Sequence, residues 1–347
     1  MRFAATVLLF CVALSLVGCA GLPGTASVAT PQGYQRKASS PSTTLLYVSN
    51  HTNNSVSAFP LNANGNVSPV GTISGKKTRL NQQYGVGLDA SGNVYVVDPA
   101  SKPSVFVYPA NTWGDVRPIR EIKGEKTKMT GPYKVILDSS GNTYVSNNSS
   151  KHSGSGSRGD ILAFAPGSNG NVSPEWSIAG LRTELTDADG MAWDSSGNLY
   201  VANSVVGSCG NDGNLFVFAA GALGNVAPIT NIGGSQTQLC DPTGIAADST
   251  GNIYASNWFT NTVTVYAAGS NGNIAPIRVI SGSNTGLDGP AAIAVDASNN
   301  IYVANALGNS ITVYSAGSNG NVSPVQTISG SNTGLSWPVS LAIYPAP

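Results

Sequence analysis

Two stretches, GIAADSTGNIYASN at residues 244–257 and AAIAVDASNNIYVAN at residues 291–305, carry one pattern twice. Small apolar residues lead to Asp-x-x-Gly/Asn-Asn, then to an apolar–Tyr–small/apolar step, then to Asn. Working outward, the Tyr step recurs at Tyr47, Tyr95, Tyr144, Tyr200, Tyr254 and Tyr302. Three residues after each stands Asn50, Asp98, Asn147, Asn203, Asn257 or Asn305. Five copies carry the Asp turn, at Asp89–Asn93, Asp138–Asn142, Asp194–Asn198, Asp248–Asn252 and Asp296–Asn300. All six continue into an alternating run ending at Phe59, Tyr108, Phe164, Phe218, Tyr266 or Tyr314, and then reach Pro69, Pro118, Pro174, Pro228, Pro276 or Pro324.

A period of roughly 50 residues is the length of a propeller blade and exceeds that of shorter solenoid repeats. Each unit reads as four antiparallel strands, A to D. Strand A is small because inner strands converge on an axis. Asp-x-x-Gly suits a type I turn from A to B. Strand C alternates, as in Thr262-Val-Thr-Val-Tyr266, so one face packs between blades. The repeated Pro is expected to start strand D, an edge that needs no ladder donor there. Leu341-Ala-Ile-Tyr344 is a strand A without successors, and Leu45-Leu-Tyr-Val48 is a strand B without a predecessor. Their union completes a sixth blade. The expectation is an all-β, six-bladed β-propeller of four-stranded antiparallel blades over residues 43–347, closed by pairing of the C-terminal strand with the N-terminal strands, and monomeric.

The quoted runs, with the Asn-x-Val/Ile-x-Val-Tyr that follows them, resemble the NHL-type repeats of six-bladed propellers. One departure is that family copies often place Asp after the Tyr-Val-Ala step, where five of six copies here have Asn.

Residues 1–18 begin with a single Arg and an apolar stretch too short to span a bilayer, as in an export signal. Leu16-Val17-Gly18-Cys19 resembles the bacterial lipobox. The resemblance implies cleavage before Cys19, acylation there, and outer-membrane residence, since Ala20 rather than Asp follows. Residues 19–42 then form the lipidated Cys and a flexible Pro/Ser/Thr tether. The remaining thiols, Cys209 and Cys240, fall in connectors on one face of adjacent blades. In an exported chain a disulfide between them is expected.

Charged residues make up 10% of the chain, with 17 Lys+Arg against 17 Asp+Glu. That balance excludes an electrostatic nucleic-acid binder. With only His51 and His152, His-rich metal chemistry is excluded too. Phosphate loops, nucleophile elbows and zinc spacings are absent.

Loops on a rigid scaffold carry function. The A–B and C–D turns, with their Asn-Gly-Asn repeats, are monotonous. The B–C and D–A connectors vary, so the site is placed on their face, at the channel mouth. That face is expected to be basic on one side (Lys76, Lys77, Arg79, Lys126, Lys128) and acidic on the other (Glu184, Asp187, Asp189, Asp241, Asp288). Tyr84, Tyr133, Trp258, Phe259 and Trp337 either plug the mouth or form a platform for a saccharide or peptide. Asp187, Asp189, Asp241 and Asp288, with Asn203 and Asn257, either solvate and cap turns or supply an oxygen shell for Ca²⁺. The first functional reading is an envelope-anchored binding or scaffolding module, with catalysis left open. The alternatives are a Ca²⁺-dependent hydrolase or lactonase and a passive structural envelope protein.

Overall fold

The computed structural model describes residues 44–345 apart from 101, 149–158, 205–208 and 210–212. The expected signal segment, Cys19, the expected tether and His152 lie outside the described residues.

Six four-stranded antiparallel sheets make the ring. Their innermost strands are Pro338–Tyr344, Val86–Leu88, Pro132–Leu137, Ala188–Trp193, Pro242–Ala247 and Pro290–Val295, belonging here to blades 1 to 6 in that order. Blade 1 is the composite one. Pro338–Tyr344 pairs antiparallel with Leu45–Asn50, from Leu45 opposite Tyr344 to Asn50 opposite Pro338. The only helical elements among the described residues are three short 3₁₀ turns, at Lys76–Thr78, Glu125–Thr127 and Leu181–Thr183.

The core lies between blades. Leu46, Val48, Phe59 and Ile343 of blade 1 pack against Tyr302, Ala304, Ile311 and Val313 of blade 6, so the terminal seam is as apolar as the others. The Asp turns explain the Tyr repeat. In blade 5, Asp248 Oδ1 accepts the backbone N–H groups of Thr250 and Asn252. Its Oδ2 accepts Asn252 Nδ2 and, at 2.9 Å, the Tyr254 hydroxyl. The phenol is thereby satisfied inside a buried strand. Blade 1 has Tyr344 where the others have this Asp, and Tyr47 stacks instead on Trp113 at 5.9 Å.

The repeated Pro lies two residues before strand D, not at its first residue. Strand D of blade 1, for example, is Gly71–Ser74, whereas the proline is Pro69. The outer edge is blunted by a different device. The C–D loop of each blade runs onto the preceding blade's strand D and adds a parallel bridge: Gly114 to Ile73, Gly170 to Ile122, Gly224 to Ile178, Gly272 to Ile232, Gly320 to Ile280 and Gly65 to Ile328. Flanking side chains complete the staple. Asn169 Oδ1 accepts Glu121 N at 2.9 Å, and Asn171 Oδ1 accepts Lys126 N at 2.8 Å. The Asn-Gly-Asn repeats therefore lock one blade to the next as well as turning the chain. This pairing occupies donors and acceptors that an open sheet edge would offer to another chain.

Candidate functional site at the channel mouth

Strand A residues stack in levels down the channel. Four residues before the turn Asp stand Gly85, Lys134, Gly190, Gly244 and Ala292, with Ser340 at the matching place in blade 1. One long side chain thus enters a level otherwise made of Gly, Ala and Ser. Lys134 is buried, its backbone N–H bonds Ser146 Oγ at 2.9 Å, and its ammonium donates to the Val339 carbonyl of another blade. Gly85 makes room for this: a Cβ there would lie 2.7 Å from the Lys134 Cα. The open space at this depth is about 50 Å³, lined by all six inner strands. The channel is therefore constricted here.

Above the constriction, on the B–C/D–A side, the aromatics gather. His51 and Tyr84 have ring centroids 4.5 Å apart, and so do Tyr84 and Tyr133. The Lys134 ammonium lies 5.3 Å from the Tyr133 centroid, within cation–π range. Trp258 and Trp337 are 6.1 Å apart, and with Tyr84 they pack on Ala291, Ala306 and Val339. The five rings thus form two groups, the Tyr84 group and the Trp pair, joined through a small apolar floor. Phe259 is about half exposed beside them.

The carboxylates are arranged differently from the expected solvated acidic side. Asp187, Asp189 and Asp241 are buried, whereas Asp288 and Glu184 are exposed. Asp189 accepts Asn148 Nδ2 at 2.8 Å and Ser204 Oγ at 2.9 Å. The Asx residues ending strand B bond within their own blades. Asn203 Oδ1 accepts the Thr186 and Asp187 N–H groups, and Asn257 Oδ1 accepts Cys240 N at 3.1 Å. Asn257 Nδ2 donates to Thr262 and Thr264. These oxygens cap connectors. Among the described residues, no three His, Cys, Asp or Glu side chains converge as a metal cluster. Asp98 is the one acid in this ring of Asn. Burial pushes its carboxyl above the ordinary value, against the lowering effect of the Asn81 and Ala100 N–H groups.

On the basic side, Lys76, Lys77 and Lys126 are exposed on 3₁₀ turns, away from the aromatic contacts. Lys77 N is taken by Asp115 of the next blade. Arg79 pairs with Glu121 at 2.6 Å. Cys209 and Cys240 form a disulfide joining the long B–C connector of blade 4 to the D–A connector of blade 5, next to Asp241.

Sequence reasoning missed Lys134, Gln83 and Asn148. Lys134 was legible as the one cation at a Gly/Ala/Ser position of the repeat. Gln83 and Asn148 had no periodic signal. Gln83 Nε2 donates to the Asn50 and Ser55 carbonyls, while Gln83 Oε1 and Asn148 Oδ1 are buried acceptors that receive no hydrogen bond among the described residues.

The other end of the channel holds a larger cavity, about 550 Å³, bounded by Leu88, Leu137, Trp193, Leu341, Ile343 and Tyr344. It opens among the A–B turns.

A family described as "Lactonase, 7-bladed beta-propeller" matches residues 245–346, from within the inner strand Pro242–Ala247 through the closing strand Pro338–Tyr344. The ring itself has six blades. No curated protein matches. Among solved structures, a Bacteroides caccae protein of unknown function superposes with a TM-score of 0.58 at 11% identity, over 87% of this chain and 99% of that one. The periplasmic gluconolactonase PpgL of Pseudomonas aeruginosa gives 0.54 at 12% identity, over 88% and 99%. The Dos1 propeller gives 0.50 at 10% identity, over 83% and 68%. At these identities the likeness is one of fold.

Proposed function

We propose that this chain is an envelope-anchored, NHL-like propeller lipoprotein that binds a neutral saccharide at its B–C/D–A channel mouth. The observation that carries the reading is the joined aromatic rim of Tyr84, Tyr133, Trp258 and Trp337, set over buried polar groups. Aromatic faces with a few placed polar groups are the usual make-up of a small-molecule site. Among the described residues, Gln83 Oε1 and Asn148 Oδ1 are buried acceptors without donors. Fold similarity alone assigns no chemistry.

The matched segment 245–346 supports a second reading, hydrolysis of a lactone with Ca²⁺. Those residues include Trp258, Asp288 and Trp337 but not Tyr84, Tyr133, Lys134, Asp187 or Asp189. Calorimetric titration with neutral oligosaccharides, beside a lactone-turnover assay with Ca²⁺ or chelator, separates the two. Binding without turnover supports the first reading. Chelator-sensitive turnover supports the second.

A further inference from the structure

We infer that the A–B/C–D face is the membrane-facing side of the ring and rests on a lipid surface, leaving the aromatic mouth pointed outward. This rests on the lipid-anchor reading of Cys19 and goes beyond it, because a flexible tether alone fixes no orientation.

Three features converge on this face. The first is where the chain outside the structure joins the ring. Thr44 leads into Leu45, which pairs with Tyr344 at the A–B end of blade 1. The described chain therefore begins beside the cavity, on the side opposite the aromatic rim.

The second is a repeated exposed aliphatic position. Val70, Ile119, Ile229, Ile277 and Val325 each follow the repeated Pro and open the pairing of strand D with strand C. All five are 52–59% exposed, and only blade 3 differs, with Glu175. Single exposed aliphatics are ordinary, but five at one equivalent position around one rim are not scattered. The opposite face exposes Leu181 and, at one equivalent place in two B–C connectors, Phe259 and Leu307, so the repetition there reaches two blades rather than five.

The third is charge. The five turn aspartates on this face are committed to their own turns. Asp89 Oδ1 takes the Ser91 and Asn93 N–H groups and Oδ2 takes Asn93 Nδ2; the other four follow suit. The apolar wall of the central cavity, from Leu88 to Tyr344, continues the same surface inward. The turn carboxylates stay charged, but their oxygens already hold hydrogen-bond partners that contact with lipid would not remove.

The five tryptophans report on this directly. Trp113, Trp176 and Trp193 lie toward the A–B/C–D face, and Trp258 and Trp337 at the opposite mouth. The full lipidated protein is incorporated into phosphatidylcholine vesicles carrying brominated acyl chains, which quench nearby indoles. Trp258→Phe/Trp337→Phe should be quenched at least twofold more than Trp113→Phe/Trp176→Phe/Trp193→Phe. Adding Ile119→Asp and Ile277→Asp to the first variant should lower its quenching while the protein still floats with the vesicles. Flotation with equal quenching in both sets, or stronger quenching of Trp258 and Trp337, overturns the orientation alone. A chain that fails to float overturns the anchor and the orientation with it.

Discussion

The backbone of Gly65 lies in a parallel bridge beside that of Ile328, the pairing that Gly320 makes with Ile280 one blade earlier. Gly65 N donates to Thr327 O at 2.7 Å, and Ser329 N returns to Gly65 O at 3.2 Å. Asn64 and Asn66 accept Thr327 N and Asn332 N. The seam between first and last blades is therefore stapled like every other, in addition to the strand exchange in blade 1.

This staple makes Gly330 a sensitive position. Its φ is +113°, and a Cβ there would sit 2.6 Å from Asn66 Cγ and Oδ1. Gly334 also has positive φ, +64°, but open space around it. Gly334→Ala should cost about 1 kcal/mol for the left-handed backbone. Gly330→Ala should cost at least twice as much and raise hydrogen exchange along Gln326–Ile328, both readable from denaturant unfolding and exchange mass spectrometry.

Asp98→Asn restores the residue that the other five blades use. Burial raises the Asp98 carboxyl, so the charged form is disfavoured in the folded state and costs stability above its folded pKa. The variant should be more stable at neutral pH, the gain partly offset by one lost acceptor for a backbone N–H. The gain should fade as pH falls through the raised pKa towards the ordinary carboxylate value. Asp248 has the opposite sign. Burial opposes its ionisation, but hydrogen bonds from Thr250, Asn252 and Tyr254 outweigh burial and lower its pKa. Its contribution is present at neutral pH and lost in acid as pH drops through that lowered value, so Asp248→Asn should flatten the acid limb of a melting-temperature profile.

The Cys209–Cys240 bridge closes a segment with a sequence separation of 31. By loop entropy its removal in Cys209→Ser/Cys240→Ser should cost about 3–4 kcal/mol. Intact protein should show no alkylatable thiol at either position under non-reducing conditions, and peptide mapping should recover the two cysteines linked.

Lys134 holds the channel constriction through the Val339 carbonyl. Lys134→Met keeps most of the volume but leaves that carbonyl without its ammonium donor. The variant should lose about 1–3 kcal/mol of stability, the cost of a buried carbonyl left without its donor, readable from denaturant unfolding. Circular dichroism should retain the β signal.

The ring, its blade count and its closure were legible because the repeat places Asp, Tyr and Asn where local chemistry demands them: Asp248 for its turn, Tyr254 to reach that Asp, Asn257 to cap the connector. The disulfide was legible from two connectors brought to one face. The inter-blade role of Asn64 and Asn66 was not, because an Asn-Gly-Asn turn reads the same whether its amides face water or a neighbouring strand. Burial of Asp187, Asp189 and Asp241 was hidden for a similar reason: loop carboxylates read as solvated, and only the packing of adjacent connectors encloses them. Trp258 and Trp337 were named as mouth residues, but their joint packing on Val339 depends on strand closure that no local pattern encodes.

The central claim is that the aromatic mouth is the ligand site, and the most direct measurement uses its own indoles. In Trp113→Phe/Trp176→Phe/Trp193→Phe only Trp258 and Trp337 report. Titration with a neutral oligosaccharide should give a saturable fluorescence change that Tyr84→Ala/Tyr133→Ala weakens at least tenfold. A flat titration, in a variant that binds the same sugar by calorimetry, would place the site elsewhere and contradict the account.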